Sequence, residues 1–197
     1  LNKTQPEIHV VHKKTEQAHL VIGFPSINNQ DPRKWTAKLL ATTLGGNMSS
    51  RMFLNIREAK GLCYYIHTDC DLFSDCGSFS TRAGVDTTRA QDAITAIERE
   101  YKQAQENGIT QKELDKSKAY LLGKMQLRLE DSEYQAHFLA HQELIQNDLK
   151  SVDEIKEVID KVTLDDVNKL AKELLDPSKL HLTIIGPYKD NQFSFTN

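Results

Sequence analysis

This sequence has few cysteines, little charge imbalance and no long apolar run. Its three cysteines, Cys63, Cys70 and Cys76, form no C-x-x-C pair, so neither a disulfide framework nor a structural zinc knot is expected. Basic side chains number 25 and acidic ones 28, which gives no general attraction to nucleic acid or to an anionic membrane. No apolar stretch approaches the roughly 20 residues that cross a bilayer. We therefore expect a cytoplasmic protein with free thiols.

The length of the chain bounds its domain organisation. With 197 residues and 39% hydrophobic content, the chain can bury one sizeable core, and we expect a single domain over residues 1–197. It begins at Leu1 rather than at a methionine. We interpret this start as a processed product or a segment of a longer protein, and we expect no signal peptide.

Short apolar or alternating runs predict β-strands at both ends and in the middle of the chain. Residues 18–26 (AHLVIGFPS) predict an early strand and residues 180–187 (LHLTIIGP) the last one. Residues 62–73 (LCYYIHTDCDLF) and 78–86 (SFSTRAGVD) flank a turn at SDCG, which is typical of a β-hairpin.

Alternation along the hairpin predicts which side chains face the core. Leu62, Tyr64 and Ile66 fall on the apolar face, whereas Cys63 and Tyr65 fall on the polar one. Across the hairpin, the apolar side is expected to take Phe79, Thr81, Ala83 and Val85. Arg82 is predicted to form an ordinary cross-strand pair with Asp69 or Asp71.

Capping signals predict helices over the remaining sequence. Asp31-Pro32 predicts a helix that ends at Gly45-Gly46, a shorter helix fits residues 49–60 with Gly61 as its stop, and Asp86 can cap a long helix closed by Gly108. Four capping-box patterns predict further helices: Thr110/Glu113, Ser132/Gln135, Ser151/Glu154 and Thr163/Asp166. The expected fold is α+β, one mainly antiparallel sheet covered on one face by long helices.

Two local patterns resemble ligand sites but lack part of the chemistry. Gly45-Gly46 follows a predicted helix instead of a strand, and no Lys-Ser or Lys-Thr follows it, so helix punctuation with Ser49 or Ser50 as the next cap is favoured over a phosphate loop. His137 and His141 share a helix face with Glu133, a spacing that zinc sites use. Neither H-E-x-x-H nor H-x-x-E-H is present there, and an ordinary helix face is favoured.

The segment LGGNMSSRMFLNIREAKGLCYYIH (residues 44–67), with EQAHLVIGFPS before it, resembles the C-terminal half of the M16 metallopeptidases, the family of pitrilysin, insulinase and the mitochondrial processing peptidase. VTLDDVNKLAKELL and LTIIGP near the end resemble the same half, so the resemblance covers about residues 7–188. Asn47, Met52, Leu54, Asn55, Ala59, Lys60 and Cys63 depart from the family pattern. The positions that match it are Gly45, Gly46, Met48, Ser49, Ser50, Arg51, Phe53, Ile56, Arg57, Glu58, Gly61, Leu62 and Tyr64.

The resemblance implies a fold and an activity. M16 proteins consist of two related α+β halves that close as a clamshell around unstructured peptides. Zinc is bound by an H-x-x-E-H motif of the other half, so the resemblance implies zinc in the full-length protein and no metal bound by this chain. The implied function is the substrate-binding, transition-state-stabilising C-terminal half of a bacterial zinc metalloendopeptidase, inactive alone.

The resemblance also implies the site residues. The second half faces the zinc with an arginine and, seven residues later, a tyrosine, and by spacing these roles fall on Arg57 and Tyr64. Tyr65 is the alternative if the strand register slips by one residue. Arg51 is expected to be structural. Partners implied are a peptide substrate, the N-terminal M16 half in the same chain or a separate one, and a possible homodimer.

Two rival interpretations remain open. Some M16 relatives are non-catalytic structural or regulatory subunits that pair with an active partner. The second rival is a peptide-binding module that binds peptides along its sheet edge.

Overall fold

The computed structural model describes residues 5–146 and 148–196. Within these residues, one sheet is built from β1 (Glu7–His12), β2 (Gln17–Ser26), β3 (Cys63–Leu72), β4 (Gly77–Asp86) and β5 (His181–Gly186). The strand order is β1-β5-β2-β4-β3. Strand β1 runs parallel to β5, and the other neighbours are antiparallel. The predicted hairpin is the pair β3–β4, and the last strand is where the sequence predicted it.

Helices occupy the two long connections, from β2 to β3 and from β4 to β5. The α-helices are α1 (Lys34–Gly45), α2 (Ala90–Asn107), α3 (Gln111–Arg128), α4 (Ser132–His141), α5 (Val152–Lys161) and α6 (Leu164–Leu174). Phe53–Glu58 and Gln142–Gln146 are π-helical, and Pro177–Lys179 is a short 3₁₀ turn. None of the helices in the described residues is long and apolar enough to cross a membrane.

Alternation along the strands places the core on one face of the sheet. On β2, Ala18, Leu20 and Ile22 are buried, whereas His19 and Val21 are exposed. On β4, the residues predicted to face the core, Phe79, Thr81, Ala83 and Val85, are all fully buried. The α+β fold with helices on one face of a mostly antiparallel sheet is therefore confirmed.

A chain of buried hydroxyl groups joins the layers. The Thr81 hydroxyl lies 2.7 Å from that of Thr68 on β3 and 2.6 Å from that of Tyr101 on α2. Tyr101 donates to the Ile22 carbonyl on β2 at 3.1 Å. Thr68 and Thr81 also approach the Met52 sulfur at 3.4 and 3.3 Å. Because each hydroxyl is buried and partnered, the network fixes how the strands and α2 meet.

The helix caps test the local predictions. The capping boxes at Thr110, Ser151 and Thr163 are present as predicted. Asp131, one residue before the predicted Ser132, caps α4 by accepting the backbone N–H groups of residues 133 and 134. The prediction for Ser132 was therefore wrong by one residue.

Two other predicted caps belong to turns that precede their helices. The Asp31 carboxylate accepts the Arg33 backbone N–H at 2.8 Å and pairs with its guanidinium, so α1 begins only at Lys34. Asp86 accepts the Thr88 N–H at 2.7 Å, and α2 begins at Ala90. Strand β1 was not predicted at all, since it pairs only with the distant β5.

An ion pair fixes the start of the helical segment that carries Arg57. Arg51 donates from Nε and Nη2 to the two carboxylate oxygens of Glu113 at 2.5 and 2.8 Å, and from Nη2 to the Gly108 carbonyl at 3.0 Å. Glu113 also accepts the Thr110 N–H of its capping box. This bidentate geometry confirms the structural role predicted for Arg51. Burial would raise the pKa of Glu113, but hydrogen bonds from Arg51 and Thr110 lower it to about 2.

The Arg51–Glu113 pair predicts a pH-dependent stability. The pKa of Glu113 is lower in the folded chain than its ordinary 4.5, so the stabilisation is present above about pH 4.5 and is lost as the pH falls toward 2. We expect Glu113→Gln to lower the free energy of unfolding at pH 7 by about 1–2 kcal/mol, after allowance for solvent screening.

Urea unfolding of the wild type and Glu113→Gln between pH 7 and pH 2.5 measures this effect. The difference between the two proteins should shrink as the pH falls. Glu106→Gln, an exposed position near the end of α2, serves as the control and should stay within 0.5 kcal/mol of wild type. A constant difference for Glu113→Gln across the pH range would contradict the assignment.

Candidate functional site

Arg57 lies on the π-helix Phe53–Glu58 with its guanidinium over an aromatic ring. The Arg57 Cζ is 4.6 Å from the centroid of the Phe53 ring, a contact that orients the cation without neutralising it. Among the described residues, no carboxylate or carbonyl lies within hydrogen-bonding distance of the Arg57 guanidinium. Its donors are therefore available to a ligand.

A tight turn connects Arg57 to the strand that carries Tyr64. Gly61 adopts a left-handed conformation with φ of 57°, and its N–H donates to the Arg57 carbonyl at 3.0 Å. Gly61 is thus the stop that the sequence predicted, because only glycine adopts this conformation without strain. Arg89 donates to the carbonyls of Gly61 and Lys60 at 3.2 and 3.3 Å, which holds the turn against the start of α2.

Tyr64 points to solvent, contrary to the alternation expected from the sequence. Cys63 pairs with Val85 and Tyr65 pairs with Gly84, so Tyr64 is the extra residue of a β-bulge. The Tyr64 side chain is 60% exposed and Cys63 only 8%. The predicted apolar face for Tyr64 and polar face for Cys63 were therefore both wrong, since the bulge exchanges the two.

The buried Cys63 thiol lies within the electrostatic reach of Arg57. Burial raises the pKa of Cys63 to about 11, and the Arg57 charge opposes that shift. At neutral pH the thiol is therefore protonated, and Cys63 is not a nucleophile.

Tyr65, the alternative to Tyr64, is engaged elsewhere. Its ring lies over Gly84, where a side-chain carbon would be only 2.5 Å from the ring, and its hydroxyl is 3.0 Å from His19 Nδ1. By contrast, no described residue lies within hydrogen-bonding distance of the Tyr64 hydroxyl. The Tyr64 phenol and the Arg57 guanidinium are thus both free of hydrogen-bond partners in the described residues, and the turn at Gly61 lies between them along the chain.

The remaining candidates from the sequence, the glycine pair, the two histidines on α4 and Arg82, have structural contacts. The glycine pair ends α1 as predicted, but the Asn47 side chain, instead of Ser49 or Ser50, accepts a backbone N–H in the following turn. The rings of His137 and His141 stack with their centroids 6.3 Å apart. Arg82 pairs with Asp69 at 2.9 Å, which confirms the cross-strand pair.

Zinc does not fit the side chains that this structure brings together. In residues 5–146 and 148–196, no three His, Cys, Asp or Glu side chains are placed to hold a metal ion. Glu133 therefore does not complete a site with His137 and His141.

Comparisons with known proteins agree with this architecture. Residues 1–121 match the family described as the peptidase M16 inactive domain. An uncharacterized zinc protease of Streptomyces coelicolor is 35% identical over 187 residues, which are 95% of this chain and 40% of that protein. A solved peptidase M16 inactive domain from Pseudomonas fluorescens covers 94% of this chain and 44% of its own, with a TM-score of 0.83 and 20% identity.

A more distant likeness is to a chain in a structure of complex III2 from Candida albicans. It covers 95% of this chain and 46% of its own, with a TM-score of 0.80 and 17% identity. The two solved structures define the class of fold, an M16-type α+β domain. The chain itself belongs to the family of peptidase M16 inactive domains. It spans less than half the length of each of these proteins.

Two residues that shape the site were not singled out for it from the sequence. Phe53 precedes Arg57 by four positions, and this helical spacing of an aromatic residue and a cation is a signal that could have identified the pair. Arg89 carried no such signal, because its contacts with Lys60 and Gly61 span 29 and 28 residues.

The turn at Gly61 predicts opposite effects for the same substitution at two glycines. Gly61→Ala should lower the free energy of unfolding by about 1 kcal/mol, because alanine is strained at positive φ although nothing lies within 4 Å. Gly123→Ala is the matched control, in the interior of α3 with the same open space, and should raise it by about 0.5–1 kcal/mol. Urea unfolding of both variants measures the signs, and a stabilising Gly61→Ala would contradict the turn described here.

Proposed function

We propose that this chain is the substrate-binding, transition-state-stabilising half of a zinc metalloendopeptidase that degrades or processes unstructured peptides in a clamshell chamber. One observation carries the proposal: Arg57 and Tyr64, seven residues apart, both present unpaired donors beside the same turn. By contrast, Arg51 and Arg82 are each held by a carboxylate. The relative from Streptomyces coelicolor, itself called a zinc protease, supports the reaction class.

Tyr64 is the proposed donor to the oxygen of the peptide bond that is cleaved. Peptide hydrolysis builds negative charge on the carbonyl oxygen, and a phenol aimed at that oxygen stabilises the transition state more than the ground state. The bulge serves this role because it turns the phenol out of the core. No other group in the described chain occupies the hydroxyl, so no hydrogen bond must break before the substrate binds.

Arg57 is the proposed anchor for the substrate backbone. A guanidinium offers parallel donors in a rigid fork, which suits peptide carbonyls better than the single point charge of a lysine. The Phe53 ring limits the orientations of that fork. Because the bound peptide bond is already correctly oriented, less rotational and translational entropy is lost on the way to the transition state, and the barrier is lower.

The rest of the catalytic machinery is assigned to an N-terminal M16 half, in the same chain or in a separate one. That half supplies the bound zinc, whose role is to polarise the carbonyl and activate water. Closure of the two halves would bring Arg57 and Tyr64 to the substrate and exclude bulk water. We place the assembled enzyme in the bacterial cytoplasm.

Substitution of the two site residues in the full-length enzyme tests the proposal. Tyr64→Phe should reduce kcat on a fluorogenic peptide by about 100-fold, since one transition-state donor is lost. Arg57→Lys should mainly raise KM, because the charge remains and the fork is lost. The zinc content, measured by atomic emission, should equal that of wild type in both variants.

Tyr65→Phe is the matched control for Tyr64→Phe. It removes a hydroxyl from the next residue of the same strand, but one that is bound to His19, and kcat should stay within about threefold of wild type. Unchanged turnover for both Tyr64→Phe and Arg57→Lys would refute the site assignment. Loss of zinc from either variant would show that the effect is not local.

The 197-residue chain alone should hydrolyse no peptide. The expected result is no cleavage of a fluorogenic peptide library with or without added zinc, because the described residues hold no set of metal donors. Addition of the separately produced N-terminal half should restore cleavage. Zinc-dependent turnover by the isolated chain would contradict this division of labour.

A non-catalytic subunit is the second candidate function. The likeness to a chain of complex III2 at a TM-score of 0.80 favours it, since that chain is part of a larger complex and the family itself is described as inactive. An H-x-x-E-H motif in the partner half supports the peptidase, and its absence supports the structural subunit. Sedimentation of the chain by itself measures self-association, and sedimentation of the chain mixed with the partner half measures pairing.

A further inference from the structure

A cavity of about 420 Å³ lies between strand β3 and helices α1, α3 and α4. Its aromatic and cationic walls include Trp35 and Lys38 of α1, Tyr120, Lys124 and Arg128 of α3, and Tyr134 of α4. Arg57 and Tyr64 do not line it. A volume of this size is typical of small-molecule sites, whose walls are mostly apolar with a few polar groups.

Three cations around this cavity are each placed over an aromatic ring. The Lys38 Nζ is 4.9 Å from the ring centroid of Trp35, and the Lys124 Nζ is 5.6 Å from that of Tyr120. The Arg128 Cζ is 5.6 Å from the ring of Tyr134, across the gap between α3 and α4. Such contacts hold a cation in place while leaving its charge uncompensated.

The cavity carries a surplus of positive charge. Within residues 5–146 and 148–196, no carboxylate lies within 4 Å of the Lys38, Lys124 or Arg128 side-chain nitrogens. Asp69 is the one carboxylate among the described lining residues. It is already engaged by Arg82 at 2.9 Å and His67 at 3.0 Å.

The environment of the Lys38 ammonium is unfavourable for its charge. Burial lowers the pKa of its ammonium, and the charges of Asp69 and Asp71 oppose that shift only in part. Lys38 is half-buried, and a partly buried cation without a carboxylate in contact is less favourable than a paired one. An anion bound in the cavity would supply the missing partner, while the rings of Trp35 and Tyr134 would contact an apolar body.

We propose that this cavity binds an organic carboxylate that carries an aromatic ring, with the carboxylate at Lys38 and Lys124 and the ring between the aromatic walls. Two sources share this chemistry, a free aromatic acid and the free C-terminus of a peptide that ends in an aromatic residue. The inference rests on the cavity alone and is independent of the peptidase function.

Trp35 provides a direct readout, because it is the single tryptophan of the chain and lines the cavity. The fluorescence of the 197-residue chain is titrated with N-acetyl-phenylalanine, with its amide and with inorganic phosphate. The same titration is made with a peptide ending in phenylalanine, with a free or an amidated C-terminus. We expect saturable changes with the carboxylates, and at least tenfold weaker binding of the amides and of phosphate.

Variants assign the binding to the cavity. Lys38→Met should weaken binding of N-acetyl-phenylalanine at least tenfold, whereas Lys112→Met, an exposed position on α3 away from the cavity, should leave it unchanged. Circular dichroism and thermal unfolding establish that each variant is folded. If Lys38→Met does not fold, Lys124→Met makes the same test from the α3 side of the cavity.

The outcomes separate clearly. Tighter binding of the free acid or of the peptide identifies the source, and either result supports the proposal. Equal binding of acid and amide, binding of phosphate as tight as that of the acid, or no saturable change with any carboxylate would overturn it. Unchanged affinity in folded Lys38→Met and Lys124→Met variants would also overturn it.

Discussion

The buried hydroxyl chain from Thr68 through Thr81 and Tyr101 to the Ile22 carbonyl is the interaction on which the rest of the structure depends. It joins three adjacent strands to helix α2, and through the Met52 sulfur it reaches the segment that leads to Arg57. Burial of hydroxyls is tolerated only when each finds a partner. This requirement fixes which side of β3 faces the core for the regular part of the strand, from Tyr65 onward.

The orientation of Tyr64 is a consequence of that choice. With Ile66 and Thr68 turned inward, an unbroken strand would also bury Tyr64. The bulge adds one residue at the start of β3, so that Cys63 fills the core position and Tyr64 turns outward. Bulges are common where a side chain must be redirected toward a functional site, and the proposed role of the phenol gives this one a reason.

The proposed site and the proposed carboxylate cavity use the same physical device. Arg57 lies over Phe53 and Lys38 over Trp35, so in both places an aromatic ring positions a cation that has no carboxylate partner in the described chain. Ion pairs such as Arg51–Glu113 stabilise the fold, but the carboxylate neutralises the guanidinium, which is then not available to a ligand. Cations held by rings keep their charge for a ligand, at the cost of a less favourable folded state.

The sequence alone determined the features that depend on neighbours within a few residues: the capping boxes at Thr110, Ser151 and Thr163, and the stop at Gly61. Their hydrogen bonds close within one helical turn, so local chemistry suffices. Only the tertiary structure decided that Tyr64 faces solvent, that β1 joins the sheet and that Lys38 lines a cavity. Each of these depends on partners many residues away, such as Val85 for the bulge and β5 for β1, and long-range packing overrides the local pattern there.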